Sequence, residues 1–139
     1  MHVINIKPLK AYTDNYIWLL ETNEEVSIVD PGDAKPVLDY LSKTNKNLRD
    51  IFITHHHFDH TAGVPELENI ISGSIYGPKN SYELINEKVT QGDTLSSLGI
   101  KFEIIEVPGH TLDHIAFYNE ENNILFCGDT LFAGGCGRV

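Results

Sequence analysis

The segment Thr54-His55-His56-His57-Phe58-Asp59-His60 constrains this chain more than any other. It places four histidines and a carboxylate within seven residues, directly after the apolar run Ile51-Phe52-Ile53. If that run is a strand whose period-two alternation continues, His55 and His57 point to one side, where two imidazoles can hold one metal ion. His56 then points the other way and is not a ligand. Asp59 and His60 are adjacent, so they serve the same side together only where the chain turns. Thr61-Ala62-Gly63 and then Val64-Pro65-Glu66-Leu67 predict that turn and a short helix after it. A second metal site beside the first is the natural consequence. An expression tag is a poor explanation, because the cluster is internal and is punctuated by Phe58 and Asp59.

Suitable partners recur downstream in similar settings. Val107-Pro108-Gly109-His110 follows the strand-like run Phe102 to Val107, and Ile124-Leu125-Phe126-Cys127 ends at Gly128-Asp129-Thr130. Three apolar runs therefore each deliver imidazole or carboxylate at the C-terminal end. The expectation is that these strands are neighbours in a sheet, so that their ends converge. Asp30, at the end of the run Glu25 to Asp30, falls beside the same region and is a candidate for supporting the ligands rather than binding metal itself.

The pattern H-x-H-x-D-H at His55 to His60, with the later His110 and Asp129, resembles the metallo-β-lactamase superfamily. Within it, three features are similar to the glyoxalase II branch, the hydroxyacylglutathione hydrolases. These are Asp14-Asn15-Tyr16 near the N-terminus, Pro108-Gly109-His110-Thr111 with Asp113-His114, and Gly128-Asp129-Thr130-Leu131-Phe132 running to Gly135-Cys136-Gly137-Arg138. The resemblance runs from one end of the chain to the other. It implies an α/β fold, a metallo-β-lactamase-like αββα sandwich, with residues 1–139 forming one partial catalytic domain. Measured against the family pattern, the chain stops inside the Gly-Cys-Gly-Arg region. The family's last metal-binding histidine, its remaining strands and its helical C-terminal domain are therefore expected to be absent.

The resemblance also implies roles, residue by residue. His55, His57 and His110 would hold one ion, Asp59 and His60 a second, and Asp129 would bridge the two; spacing alone leaves that division open. Three imidazoles suit zinc with an open position, and zinc is the first choice among divalent ions, with iron or manganese compatible with the same donors. Asp59 would also orient the hydroxide that attacks a thioester carbonyl, which makes it the catalytic residue. His114 would lie near the site without binding metal, and Arg138 would contact the glutathione portion of the substrate. The implied reaction is hydrolysis of S-(2-hydroxyacyl)glutathione to a 2-hydroxy acid and glutathione, in methylglyoxal detoxification. Two other readings remain open: a persulfide dioxygenase-like enzyme with a single iron, similar through Gly-Cys-Gly-Arg, and an inactive metal-binding fragment. Asp14-Asn15-Tyr16 favours the hydrolase. A β-lactamase is disfavoured, since no secretion signal is visible.

Composition narrows the partners. The 139 residues are 41% hydrophobic, enough for one core and one domain. Twenty acidic against ten basic residues give a net charge of −10, and no basic run appears, which argues against nucleic-acid and membrane-surface partners. Cys127 and Cys136 do not indicate a disulfide framework; Cys127 reads as a core thiol and Cys136 as a weak candidate ligand. The N-terminus has no signal-peptide core and no apolar run approaches a membrane span, so a cytoplasmic location is expected.

Strands are predicted at His2 to Ile6, Asn15 to Glu21, Glu25 to Asp30, Ile51 to Ile53, Ser74 to Tyr76, Lys101 to Val107, Ile115 to Tyr118 and Ile124 to Cys127. Thr22-Asn23-Glu24 closes a hairpin. Asp33 is placed to cap a helix with Pro36 in its first turn and Val37, Leu38 and Leu41 on its packed side. Gly92-Asp93, Leu98-Gly99 and Glu120 to Asn123 are the later turns. Helices alternating with strands, then strands in a meander, predict layered α/β architecture.

Overall fold

The computed structural model describes residues 5–11, 15–54, 61–78, 83–106, 115–121 and 124–126. Strands β1 (Asn5–Ala11), β2 (Asn15–Glu21), β3 (Glu25–Val29), β4 (Asn47–Phe52), β5 (Ile75–Pro78) and β6 (Glu87–Val89) form one sheet in that order. The first two pairings are antiparallel and the last three parallel. Strands β7 (Thr94–Ser97), β8 (Ile100–Glu106), β9 (Ile115–Asn119) and β10 (Ile124–Phe126) form a second, fully antiparallel meander.

Alternation decides which residues face which layer. In β2, Ile17 and Leu19 pack under the helices, whereas Trp18 and Leu20 meet the second sheet. Helix α1 (Ala34–Thr44) begins at Asp33, whose carboxylate accepts the Lys35 N–H at 3.1 Å, and ends at Asn45, which adopts φ 58°. Its core-facing residues are Ala34, Val37 and Leu41. Leu38, expected on that side, is exposed instead, because it falls off the stripe that the other three define. A short helix α2 (Val64–Leu67) buries Val64 and Leu67 in the same layer.

Strand β4 holds the key irregularity. Val26 pairs with Leu48 but Ile28 pairs with Ile51, so Arg49 and Asp50 together oppose Ser27. This bulge shifts the side-chain phase by one residue. Leu48, Ile51 and Ile53 thereby all face the helices, while Asp50 and Phe52 face the second sheet. Phe52 is fully buried there, stacked on Phe117 at 4.9 Å between ring centroids and edge-on to Phe102 at 5.3 Å. Asp50 accepts the Ser97 hydroxyl at 2.6 Å and the Ser74 N–H at 2.8 Å. Ser97 in turn lies 2.6 Å from the Ser27 hydroxyl. A polar seam thus crosses an otherwise apolar layer.

Other expectations need correction. The first strand runs Asn5–Ala11, beyond the expected end at Ile6. It includes Pro8, which an edge strand tolerates because one side of its ladder needs no donor. Strands β6 and β7 were not anticipated, since each is short and mostly polar.

Candidate metal centre

The candidate ligands His55, His57, Asp59, His60, His110 and Asp129 lie outside the described residues, as do His56, His114, Cys127, Cys136 and Arg138. Among the described residues no group of three His, Cys, Asp or Glu could hold a metal ion. What the structure does define is the frame from which those segments leave.

Three strand exits meet at the start of β9. Glu106, the last residue of β8, pairs with Ile115. Phe126, the last residue of β10, pairs with Phe117, two residues along β9 from Ile115. The Ile115 N–H donates to the Thr54 carbonyl at 2.9 Å, which brings in the chain that continues from β4. The segments 55–60, 107–114 and 127–139 therefore all begin or end within a few residues of one point. The expectation that these strands are neighbours in one sheet is not met: β4 lies in the first sheet and β8 and β10 in the second. Convergence comes from packing the sheets face to face. Strand β4 ends at Phe52, and the expected strand register through His55 to His57 lies outside the described residues.

The exit from β4 is held from the side by the end of β3. Asp30 is buried and adopts φ 52°, a left-handed conformation that Asp tolerates better than most residues. Its N–H donates to the Phe52 carbonyl at 2.8 Å, continuing the parallel ladder past the strands. Its two carboxylate oxygens accept the Thr54 N–H at 2.7 Å and the Thr54 hydroxyl at 2.6 Å. Asp30 was expected to support the ligand region, and it does contact the residue immediately before His55. Further along, the Gly63 N–H donates to the Pro31 carbonyl at 2.8 Å. The closeness explains the glycine, whose φ is an ordinary −84°. A Cβ at Gly63 would lie 2.6 Å from both the Pro31 oxygen and the Ala34 nitrogen. From sequence, none of Thr54, Pro31, Gly63 and Ile115 was expected to shape the site: Pro31 and Gly63 were read only as turn residues and Ile115 only as the start of a strand.

The donor types in the three segments, imidazole and carboxylate, are those that divalent zinc, iron and manganese accept. Together with the shared frame, they fit a metal centre at this corner of the sandwich.

The chain belongs to the metallo-beta-lactamase superfamily, whose family model matches residues 13–139. Its fold agrees: the crystal structure of the BLEG-1 B3 metallo-beta-lactamase superimposes with a TM-score of 0.81 at 22% identity, covering 96% of this chain and 76% of that one. A second solved structure, TTHA1623 in a di-iron-bound form, gives a TM-score of 0.72 at 26% identity, covering 95% of this chain and 76% of that one. Among curated relatives, the hydroxyacylglutathione hydrolase of Idiomarina loihiensis is 46% identical over 139 residues, covering 98% of this chain and 54% of its own length. The chain thus spans about half the length of the curated relatives it matches.

Proposed function

We propose that the protein is a metal-dependent hydrolase of S-(2-hydroxyacyl)glutathione, such as S-lactoylglutathione, releasing a 2-hydroxy acid and glutathione as the second step of methylglyoxal detoxification in the cytoplasm. The observation that carries this reading is the 46% identity across nearly the whole chain to a relative of that name. The meeting of three strand exits at Ile115 supports it.

In this reading His55, His57 and His110 would hold one ion, Asp59 and His60 would hold a second, and Asp129 would serve both, with zinc the proposed metal. Divalent ions in such a set lower the pKa of water towards about 7 and polarise a carbonyl oxygen. The Asp59 carboxylate orients the attacking water towards the thioester carbon. Water adds to that carbon and gives up a proton that passes to solvent, and the C–S bond then breaks with its electron pair passing to sulfur. Glutathione leaves as a thiolate, whose conjugate acid has a pKa of about 8.5, so no dedicated general acid is required. Arg138 binds the glutathione portion.

The test is hydrolysis of S-lactoylglutathione by the metal-loaded protein expressed from its whole reading frame, with and without oxygen. Oxygen-independent release of glutathione supports the reading; oxygen-dependent sulfur oxidation without hydrolysis would replace it by the dioxygenase. Metal analysis of variants checks the ligands. His57→Ala should lose metal while His56→Ala keeps it, and Asp129→Ala should lose more than His55→Ala or His60→Ala. Full occupancy in Asp129→Ala would remove the bridge.

A further inference from the structure

Strand β7 is the edge of the second sheet, and among the described residues it pairs with β8 alone. Of its four residues only Leu95 and Ser97 are buried. Because Ser97 pairs with Ile100, the turn between the strands is Leu98–Gly99, with φ 55° and 81°. A two-residue hairpin favours that left-handed backbone, which glycine adopts freely and leucine does not. A strained turn of this kind persists where its surroundings over-determine it. Here two contacts do so. The Leu98 side chain is buried between the sheets with Leu95, Ile100 and Phe102. Ser97, immediately before it, donates its hydroxyl to the Asp50 carboxylate at 2.6 Å. Ser97 has one hydroxyl proton and a carboxylate only accepts, so the 2.6 Å contact with Ser27 is donated by Ser27. The chain of donors therefore runs from Ser27 to Ser97 to Asp50, crossing to the second sheet and back.

We propose that β7 is a clasp with Ser97 as its catch: the strand lifts from the first sheet while the rest of the sandwich stays folded, and the bond to Asp50 holds it closed. Opening is favoured by the edge position, by the exposed Thr94 and Ser96, and by relief of the strained Leu98 backbone. Closure is favoured by burial of Leu95 and Leu98 and by the hydroxyl chain, whose partners separate when β7 leaves. The balance makes β7 the part of the sandwich that opens first. This inference concerns the end of the β7–β8 hairpin and is independent of the metal-centre reading.

The experiment is native-state hydrogen exchange in low concentrations of denaturant, comparing amides of β7 with those of β9, an interior strand of the same sheet. In the unaltered protein β7 should exchange through an opening that depends little on denaturant, because little surface is exposed, whereas β9 should follow global unfolding. Ser97→Ala should speed exchange in β7 about 5–30-fold, with its weak denaturant dependence retained. Ser27→Ala removes only a donor to Ser97 and should speed β7 less. Val37→Ala, in the helix-side core, is the control: its contacts persist while β7 is open, so it should speed β9 and leave β7 unchanged. The same samples are titrated with cobalt(II) and followed by its visible d–d absorption. Strand β7 carries none of the proposed ligands, so Ser97→Ala should bind cobalt as the unaltered protein does. The clasp is overturned if β7 and β9 share one denaturant dependence, or if Ser97→Ala leaves β7 exchange unchanged. A larger effect from Ser27→Ala than from Ser97→Ala would overturn the catch. A fall in cobalt affinity matching the faster exchange would overturn the confinement of the opening to β7.

Discussion

The layer between the two sheets is built in two different ways. Around Phe52 it is aromatic: Phe117, Phe102 and Tyr76 surround one ring, and the strand exits lie just beyond it. Around Asp50, two residues earlier in the same strand, it is polar, with Ser97 and Ser27 completing a buried chain of hydrogen bonds. Aromatic burial supplies most of the free energy but is only loosely directional. Hydrogen bonds add little net stability when made, yet leaving a buried partner unmade is costly, so they favour one alignment over its neighbours. The pairing teaches that one region drives the sheets together and the other selects where they stop.

The largest expected effect comes from emptying the aromatic region. Phe52→Ala should lower the unfolding free energy by about 3–5 kcal/mol in chemical denaturation. It should weaken cobalt binding too, because the exit of β4 loses its anchor. Loss of stability with unchanged cobalt affinity would separate the aromatic layer from the centre. At the polar seam, Asp50→Ala strands the Ser97 hydroxyl and the Ser74 N–H, and should cost about 1–3 kcal/mol with cobalt affinity retained. An equal cost from both variants would erase the distinction drawn between the regions. The smallest effect concerns Tyr76, which lies edge-on to Phe52 and feels the charge of Asp50. Burial, then the negative charge of Asp50, raises its pKa above the ordinary tyrosine value. The folded protein thus holds the phenol proton more tightly than the unfolded chain. That contribution is complete below the usual value of about 10 and is lost as pH rises through the folded pKa. Tyr76→Phe should flatten the alkaline end of the stability–pH curve; an unchanged curve would show that Tyr76 does not titrate there.

Much of the frame was legible because burial and alternation coincide. Strand β2 alternates cleanly between the two layers, and Asp33 and Asn45 mark the ends of α1 by side-chain chemistry and left-handed geometry. The short helix after Gly63 was legible from its turn residues. The bulge at Arg49–Asp50 was not, since Leu-Arg-Asp-Ile gives no sign of which residue is extra until the partner strand is known. Strand β7 was missed for a related reason: Ser97 is inward-facing, and a hydrophobic pattern cannot mark a serine whose burial depends on a distant aspartate. For the candidate centre, sequence exposed the residue types that favour metal. It suggested Asp30 as a support but not its partner Thr54, because that contact joins two loops remote in the chain.

The bulge has a further consequence, in the length of the chain. Removing one residue from a regular strand turns every later side chain to the opposite face. Within β4 a deletion beyond the bulge, at Ile51 for instance, would present Phe52 to the helices and rotate everything that follows. Arg49 is different, because it is the surplus residue: without it, Leu48, Asp50, Ile51 and Phe52 alternate in the facings they already have. The strand that leads to the histidines can therefore lose Arg49 without turning its later side chains over, at a position on the side of the polar seam away from the candidate centre.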